Sequence, residues 1–339
     1  MHKIIPHTGF ADAHYDALRT EDVKFSPSGN LLVIVSKNIM ILSHLDTTCS
    51  PVRILKSIEL YSPSLACAHG IDFVREDLLV VANREGWVTF YKVPPIDTWT
   101  AAMTIDSIHE LESAWFGAKG TMRKSGTRVV RCGPGAVRIR GNHLFTGTNN
   151  VNTVTRHTIR LDGDRIETGD ERLAAQDGLE IPDGVSTSRD NRFMAVSNLH
   201  YGTAVIYDLS DFSIKCQLSD IDLHHPHGLC FGVSGRTLYV ADAGNRFVHK
   251  FETADDWQTS LRSSAEKFAA VDQAAFDLTK AETPEDVRYL EGGMKGIDMP
   301  PSGRLIATTC RHQTLRFFEV QPEQLDTVPA DAARDYVNG

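Results

Sequence analysis

A short meander of three strands recurs six times along this chain, and that repetition restricts the fold more than any other feature of the sequence. The clearest copy runs from His224 to Glu252. Leu229 to Phe231 follow His227-Gly228, a Ser234-Gly235 turn comes next, and Thr237 to Ala241 form an apolar, partly β-branched run. Asp242 to Asn245 make a second turn, after which Arg246 to Phe251 alternate as a half-buried strand does. A lone meander cannot bury both of its faces, so copies must stack on one another. The other five copies have Val23, Ile71, Val137, Val185 and Ile297 as the equivalent of Leu229.

Three of the steps between these equivalent residues are 44 to 48 residues, and two are 66 and 68. Roughly 40–45 residues suit one four-stranded blade of a β-propeller. The two long steps imply insertions, placed at 94–128 and 252–285. The chain is therefore expected to be all-β: a six-bladed β-propeller in one domain over residues 1–322, followed by a polar tail, 323–339. The sixth unit has three good strands, so the N-terminal segment with Lys3-Ile4-Ile5 is expected to supply its fourth and close the ring, which removes exposed strand edges. Outer strands are expected at Val52–Leu60, Arg165–Leu173, Ile214–Leu218 and, for the fifth unit, Val287–Leu290. Within the second insertion Phe268, Val271, Ala275 and Leu278 recur at helical spacing, which predicts a helix over Ser263–Thr279 inserted in blade 5.

Composition narrows the function. A net charge of −9 lacks the basic face that nucleic-acid binding requires. No apolar run reaches the roughly 18 residues of a membrane span. Six scattered cysteines without a CxxC pair, and an N-terminus without an apolar leader core, point to reduced thiols and a cytoplasmic location.

The chemistry converges at one rim. The first strand of each blade lines the central channel and the second runs back antiparallel, so the start of one meets the end of the other. The position two before the leading apolar residue holds Glu21, His69, Gly135, Asp183, His227 and Lys295. The residue after it is glycine in four of six units, as a backbone turning tightly beside an axis requires. The varied residues in front of it are not what a purely structural repeat demands. Two acids, two imidazoles and an amine aimed into one funnel can hold a cation or a small ligand. Channel mouths are also wet, so any one of these residues alone needs no function. As a set, Glu21, His69, Asp183 and His227 are candidate ligands for one metal ion. Asp183 or Glu21 is the candidate base, and Lys295 or Arg311 the candidate stabiliser of an oxyanion. Strand ends and turns at the same rim add Asn83, Asn149, Asn198, Tyr201, Asp242 and His312 as candidate ligand-binding residues, with Arg84 beside them. Asp242 also suits an Asx turn with Asn245. Asp72 and Asp298 are expected as buried acids beside the ladder.

The segments PHGLCF…SGRTLYVADAGNRFVHKFE, AHGIDF…LLVVANREGWVTFYKV and PDGVSTSRDNRFMAVSN…TAVIYDL resemble NHL-type six-bladed propeller repeats. Gluconolactonase-like hydrolases are built in this way, and that resemblance implies one divalent cation, calcium or zinc, at this rim, with Glu21, Asp183 and Asn198 in the matching parts. His69 and His227 depart from their pattern. The α-amidating lyase resembles the chain too, through zinc on histidines at strand starts, but only His69 and His227 match. Strictosidine-synthase-like propellers imply a metal-free rim glutamate, here Glu21. The expected function is a small-molecule-binding propeller with metal-assisted hydrolysis, lactone opening in particular, at the channel mouth. The alternatives are a metal-free or zinc lyase- or synthase-type enzyme and a non-catalytic scaffold that meets a protein partner through its insertions.

Overall fold

A computed structural model describes residues 4–5, 7–8, 19–116, 122–125, 128–131, 133–283 and 291–320. It is a six-bladed β-propeller. Blade 1 has the inner strand Thr20–Phe25, then Leu31–Ser36, Ile39–Asp46 and the outer Val52–Tyr61. Blade 2 runs Ala68–Arg75, Leu78–Asn83, Val88–Lys92 and His109–Leu111. Blade 3 follows with Ala136–Arg140, His143–Thr148, Thr153–Asp162 and Arg165–Ala175, and blade 4 with Val185–Thr187, Phe193–Asn198, Thr203–Asp208 and Ile214–Ser219. Blade 5 comprises Pro226–Phe231, Thr237–Asp242, Phe247–Glu252 and Glu266–Ala269. Blade 6 comprises Gly296–Asp298, Leu305–Cys310 and Gln313–Glu319, and Ile4–Ile5 lies antiparallel beside the last of these, Ile4 opposite Phe318.

Side chains that alternate along a strand give each blade two apolar faces. Leu31, Val33 and Val35 pack toward Ile71, Leu79 and Val81 of blade 2. Leu32 and Ile34 of the same strand pack toward Leu305, Ala307 and Phe317 of blade 6. Repeated round the ring, this builds six apolar clusters among the described residues, one in each seam between neighbouring blades. The seam between blades 6 and 1 is filled like the others, so the ring closes through its core.

Two expectations change. Glu266–Ala269 is a strand, paired with Phe247–Lys250, and the helix is Gln273–Glu282. The helix thus follows the outer strand of blade 5 rather than interrupting the blade. The spacing of Phe268, Val271, Ala275 and Leu278 misleads because Phe268 belongs to the strand and Leu278 is exposed. The buried helix residues are Phe276 and Thr279, and Phe276 packs with Val271, Met294 and Cys310 in the seam of blades 5 and 6. Val287–Leu290 and the tail 323–339 lie outside the described residues. The insertion at 94–128 adds Ala102–Thr104, parallel to the outer strand of blade 1, and the outer strand of blade 2. Among the described residues no helix is long and apolar enough to cross a membrane.

Candidate functional site

Three inner strands carry a β-bulge at the rim. Pairing skips one residue between Thr20 and Asp22, one between Ala68 and Gly70, and two between Pro226 and Leu229. The extra residues are Glu21, His69 and His227 with its glycine. A bulge leaves its residue out of the ladder and re-aims the side chain. Here it turns Glu21, His69 and His227 toward one point, where their ligand atoms all lie within 4.8 Å of one another. The glycines behind them are required by backbone contact between blades. A Cβ at Gly228 would lie 2.5 Å from the Lys295 carbonyl oxygen, and one at Gly70 would lie 2.8 Å from Ala136 Cα.

The five ionisable rim residues come together, and all are buried: Glu21, His69, Asp183, His227 and Lys295. The imidazole rings of His69 and His227 face each other with centroids 4.9 Å apart. His69 Nδ1 lies 2.6 Å from the Gly135 carbonyl oxygen, to which it donates, leaving Nε2 as the acceptor. That Nε2 is 3.4 Å from Glu21 Oε2. His227 Nε2 is 3.8 Å from Asp183 Oδ2. Both Nε2 atoms are buried without a hydrogen-bond partner. Lys295 Nζ donates to Glu21 Oε2 at 2.8 Å and also lies 3.1 Å from Glu291 Oε1. Arg19 bridges the same acids, with Nε 2.9 Å from Glu21 Oε1 and Nη2 2.9 Å from Glu291 Oε2.

Asp183 stands apart from the Glu21, His69 and His227 group. Its Oδ1 accepts from Arg84 Nη2 at 2.6 Å and from the Asn149 amide. Asn149 occupies the space that a side chain at position 135 would fill: a Cβ on Gly135 would meet Asn149 Oδ1. Blade 3 thus sends its rim group from the end of its second strand, and the glycine in its first makes room.

Burial opposes charge on every one of these groups. It is outweighed at Glu21 by Lys295 and Arg19, which hold the carboxyl well below the usual carboxylate range. It is likewise outweighed at Asp183, chiefly by Arg84, and that carboxyl is also depressed. At the imidazoles burial prevails over the acids, so His69 is pushed well down and His227 down to about 4. Both rings are therefore neutral near pH 7. Acids held ionised in this way are weak proton acceptors, which makes Asp183 and Glu21 better suited to holding a cation or orienting a water than to acting as the base. Formally the cage is balanced, with Glu21, Asp183 and Glu291 against Arg19, Arg84 and Lys295.

The cavity here is lined by Glu21, His69, Asp183 and His227 themselves, with Asp22 and Lys24 beside them, and measures about 10 Å³, close to the room one water needs. Farther along, Lys24 pairs with Asp22 at 2.8 Å, and Arg138 Nη1 lies 3.6 Å from Asp72. Asp72 accepts from Ile139 N at 2.7 Å and Asp298 from Phe25 N at 2.8 Å, each joining one blade to the next. Asp72 and Asp298 are thus buried acids, and they stitch seams as well as lie beside their own ladders.

Other sequence candidates have local duties. Asn83 accepts from Ala66 N and donates to Trp87 O and Thr89 Oγ1. Asn198 accepts from Glu180 N and donates to Gly178 O. Asp242 accepts from His224 N, His225 N and, as an Asx turn, Gly244 N. Arg311 and His312 both pair with Glu282 at the helix end, at 2.9 and 2.8 Å. Tyr201 is 59% exposed, with its ring against His200. Arg19 and Glu291 are the members sequence reasoning missed. Their only signal is proximity along the chain, Arg19 two residues before Glu21 and Glu291 four before Lys295.

No family model matches the chain, and no curated protein matches it by sequence. Solved structures do match in shape. A chain of the mitotic checkpoint complex aligns with a TM-score of 0.52 at 12% identity, covering 89% of this chain and 74% of that one. Hsv2 of Kluyveromyces lactis aligns at 0.51 and 10% identity, covering 91% and 95%. A luciferin-regenerating enzyme aligns at 0.56 and 11% identity, covering 94% of this chain and 96% of its own. At such identities the likeness is one of fold, and the chain is a β-propeller that shares its architecture with at least one enzyme.

Proposed function

We propose that this propeller binds one divalent cation through Glu21, His69 and His227 and uses it to hydrolyse a small ester or lactone at the channel mouth. The observation that carries the reading is the pair of buried, unpartnered Nε2 atoms beside one carboxylate. An uncharged buried nitrogen without a partner is costly, and a metal ion is the partner that two such nitrogens share best. The His69 Nδ1 bond to Gly135 supports the reading, since it fixes the tautomer that leaves Nε2 free for a metal. A tetrahedral zinc site would require each ligand atom to move inward by under about 1 Å. The small cavity accommodates an ion or a water and no larger group, so a substrate would meet the site from above, beside Arg84 and Arg19. In this reading the water oxygen bonds to the carbonyl carbon while Asp183 orients it. Arg84, rather than Arg311, faces the developing oxyanion. The ester or lactone C–O bond then breaks, and the released alkoxide takes the water's proton, giving an acid and an alcohol from an ester or one hydroxy acid from a lactone. The enzyme among the structural neighbours is in keeping with catalysis on this fold.

The charge balance of the cage favours a second reading, in which no ion is bound and the two imidazoles hold a neutral polar molecule. Elemental analysis after purification and dialysis against cobalt or zinc separates the two. About one metal per chain, lost in a His69→Ala/His227→Ala variant that still folds, supports the first. A wild-type protein that takes up no metal and shows the same thermal midpoint with and without chelator rules it out.

A further inference from the structure

We infer that Lys295 is a built-in competitor for the cation, an ammonium seated on the ligand oxygen itself, which restricts the site to metals that prefer nitrogen ligands. The inference rests on the cation reading above. Glu21 Oε2 faces His69 Nε2 at 3.4 Å and is the candidate ligand atom, yet the same oxygen accepts from Lys295 Nζ at 2.8 Å. A divalent ion and an ammonium cannot share that oxygen without strong repulsion. Lys295 is buried, with 7% of its side chain exposed. It has a second acceptor within reach, Glu291 Oε1 at 3.1 Å, whose other oxygen is fixed by Arg19 at 2.9 Å. Cation entry therefore moves Lys295 from one carboxylate toward the other, over a short distance and without leaving a buried charge unpaired.

The competition selects by ligand chemistry. A hard ion such as calcium gains one carboxylate and no benefit from imidazole, and it must still displace the ammonium. Cobalt, nickel or zinc gain two imidazole nitrogens as well, enough to offset the displacement. Of the two cations considered from the sequence, calcium and zinc, this arrangement singles out zinc or a metal like it.

The test uses the full chain and titrates Co²⁺, read by its visible absorption, and Ca²⁺, read by calorimetry. Wild type is expected to bind Co²⁺ and to show no Ca²⁺ heat at the same concentration. Lys295→Met is expected to bind Co²⁺ about ten- to a hundredfold more tightly, the range over which groups that contact metal ligands tune affinity. Glu291→Gln, which removes the alternative seat for the ammonium, is expected to bind Co²⁺ about tenfold more weakly. If Lys295→Met does not fold, as judged by circular dichroism, Glu291→Gln alone decides. Unchanged Co²⁺ affinity in whichever variants fold, or Ca²⁺ binding as tight as Co²⁺ in wild type, overturns the role of Lys295 and leaves the cation site standing. Absence of Co²⁺ binding in every protein overturns the cation site and this inference with it.

Discussion

A methyl group at Gly184 would lie 2.1 Å from the His227 carbonyl oxygen of the next blade, a contact that backbone cannot relieve by turning a side chain. Gly184→Ala is therefore expected to cost about 1–3 kcal/mol, as overpacking does. Gly169→Ala, where no atom comes within 4 Å, is expected to change stability by less than about 0.5 kcal/mol. Urea denaturation of both variants checks the pair. The imidazoles make a second prediction for the metal-free protein. His227 is depressed to about 4 from 6.5, mainly by burial. Its stabilisation is complete above the unfolded value and is lost as pH falls from about 6.5 toward 4, because only the unfolded chain takes up the proton in that window. His227→Gln is expected to flatten the fall of stability over that range in chelator, measured by denaturation at stepped pH. An unchanged slope would show that the ring titrates as it does in water. At this scale much of the site was legible from sequence. The recurring glycine sets the register, and the register puts Glu21, His69, Asp183, His227 and Lys295 at one height. Arg84 could be placed in its turn, but no repeat says that its side chain crosses to Asp183 of blade 4. Arg19 and Glu291 lie outside the repeated segments, so register could not find them.

Elements show where periodicity carries information and where it does not. Strands that face a seam on each side, such as Leu31–Ser36, read clearly because their apolar residues run without a break and their turns end in glycine. The outer strands at Val52–Tyr61, Arg165–Ala175 and Ile214–Ser219 were also legible, from alternation between turn residues. Glu266–Ala269 is not: it is four residues long, largely exposed, and lies three residues ahead of a helix, so its one aromatic residue falls on the helical spacing. Ile4–Ile5 is shorter still, and its antiparallel seat beside Gln313–Glu319 motivates the proposal that it completes blade 6. Removing residues 1–8 is then expected to lower the thermal midpoint by several degrees and to promote concentration-dependent association through the freed edge. A truncated chain as stable and as monomeric as the full one would leave the sixth blade sufficient with three strands.

Across the whole molecule, the seams carry polar stitches as well as apolar clusters. The stitch from Asp298 to Phe25 N joins blade 6 to blade 1. Asp298→Ala leaves that buried N–H without an acceptor and is expected to cost about 1–3 kcal/mol, with unfolding still a single transition of unchanged denaturant slope. A second transition would mean that the first and last blades come apart before the others. The bulges at Glu21, His69 and His227 have a consequence of a different kind. A residue that stands outside the ladder pairs with nothing across the sheet, so its side chain is free to change while every strand keeps its partner. The mouth of such a propeller can acquire a new set of reactive groups by a few substitutions, with the walls that hold them inherited intact. Kinship in shape among propellers therefore carries little news about their chemistry, which has to be read from these few exchangeable positions.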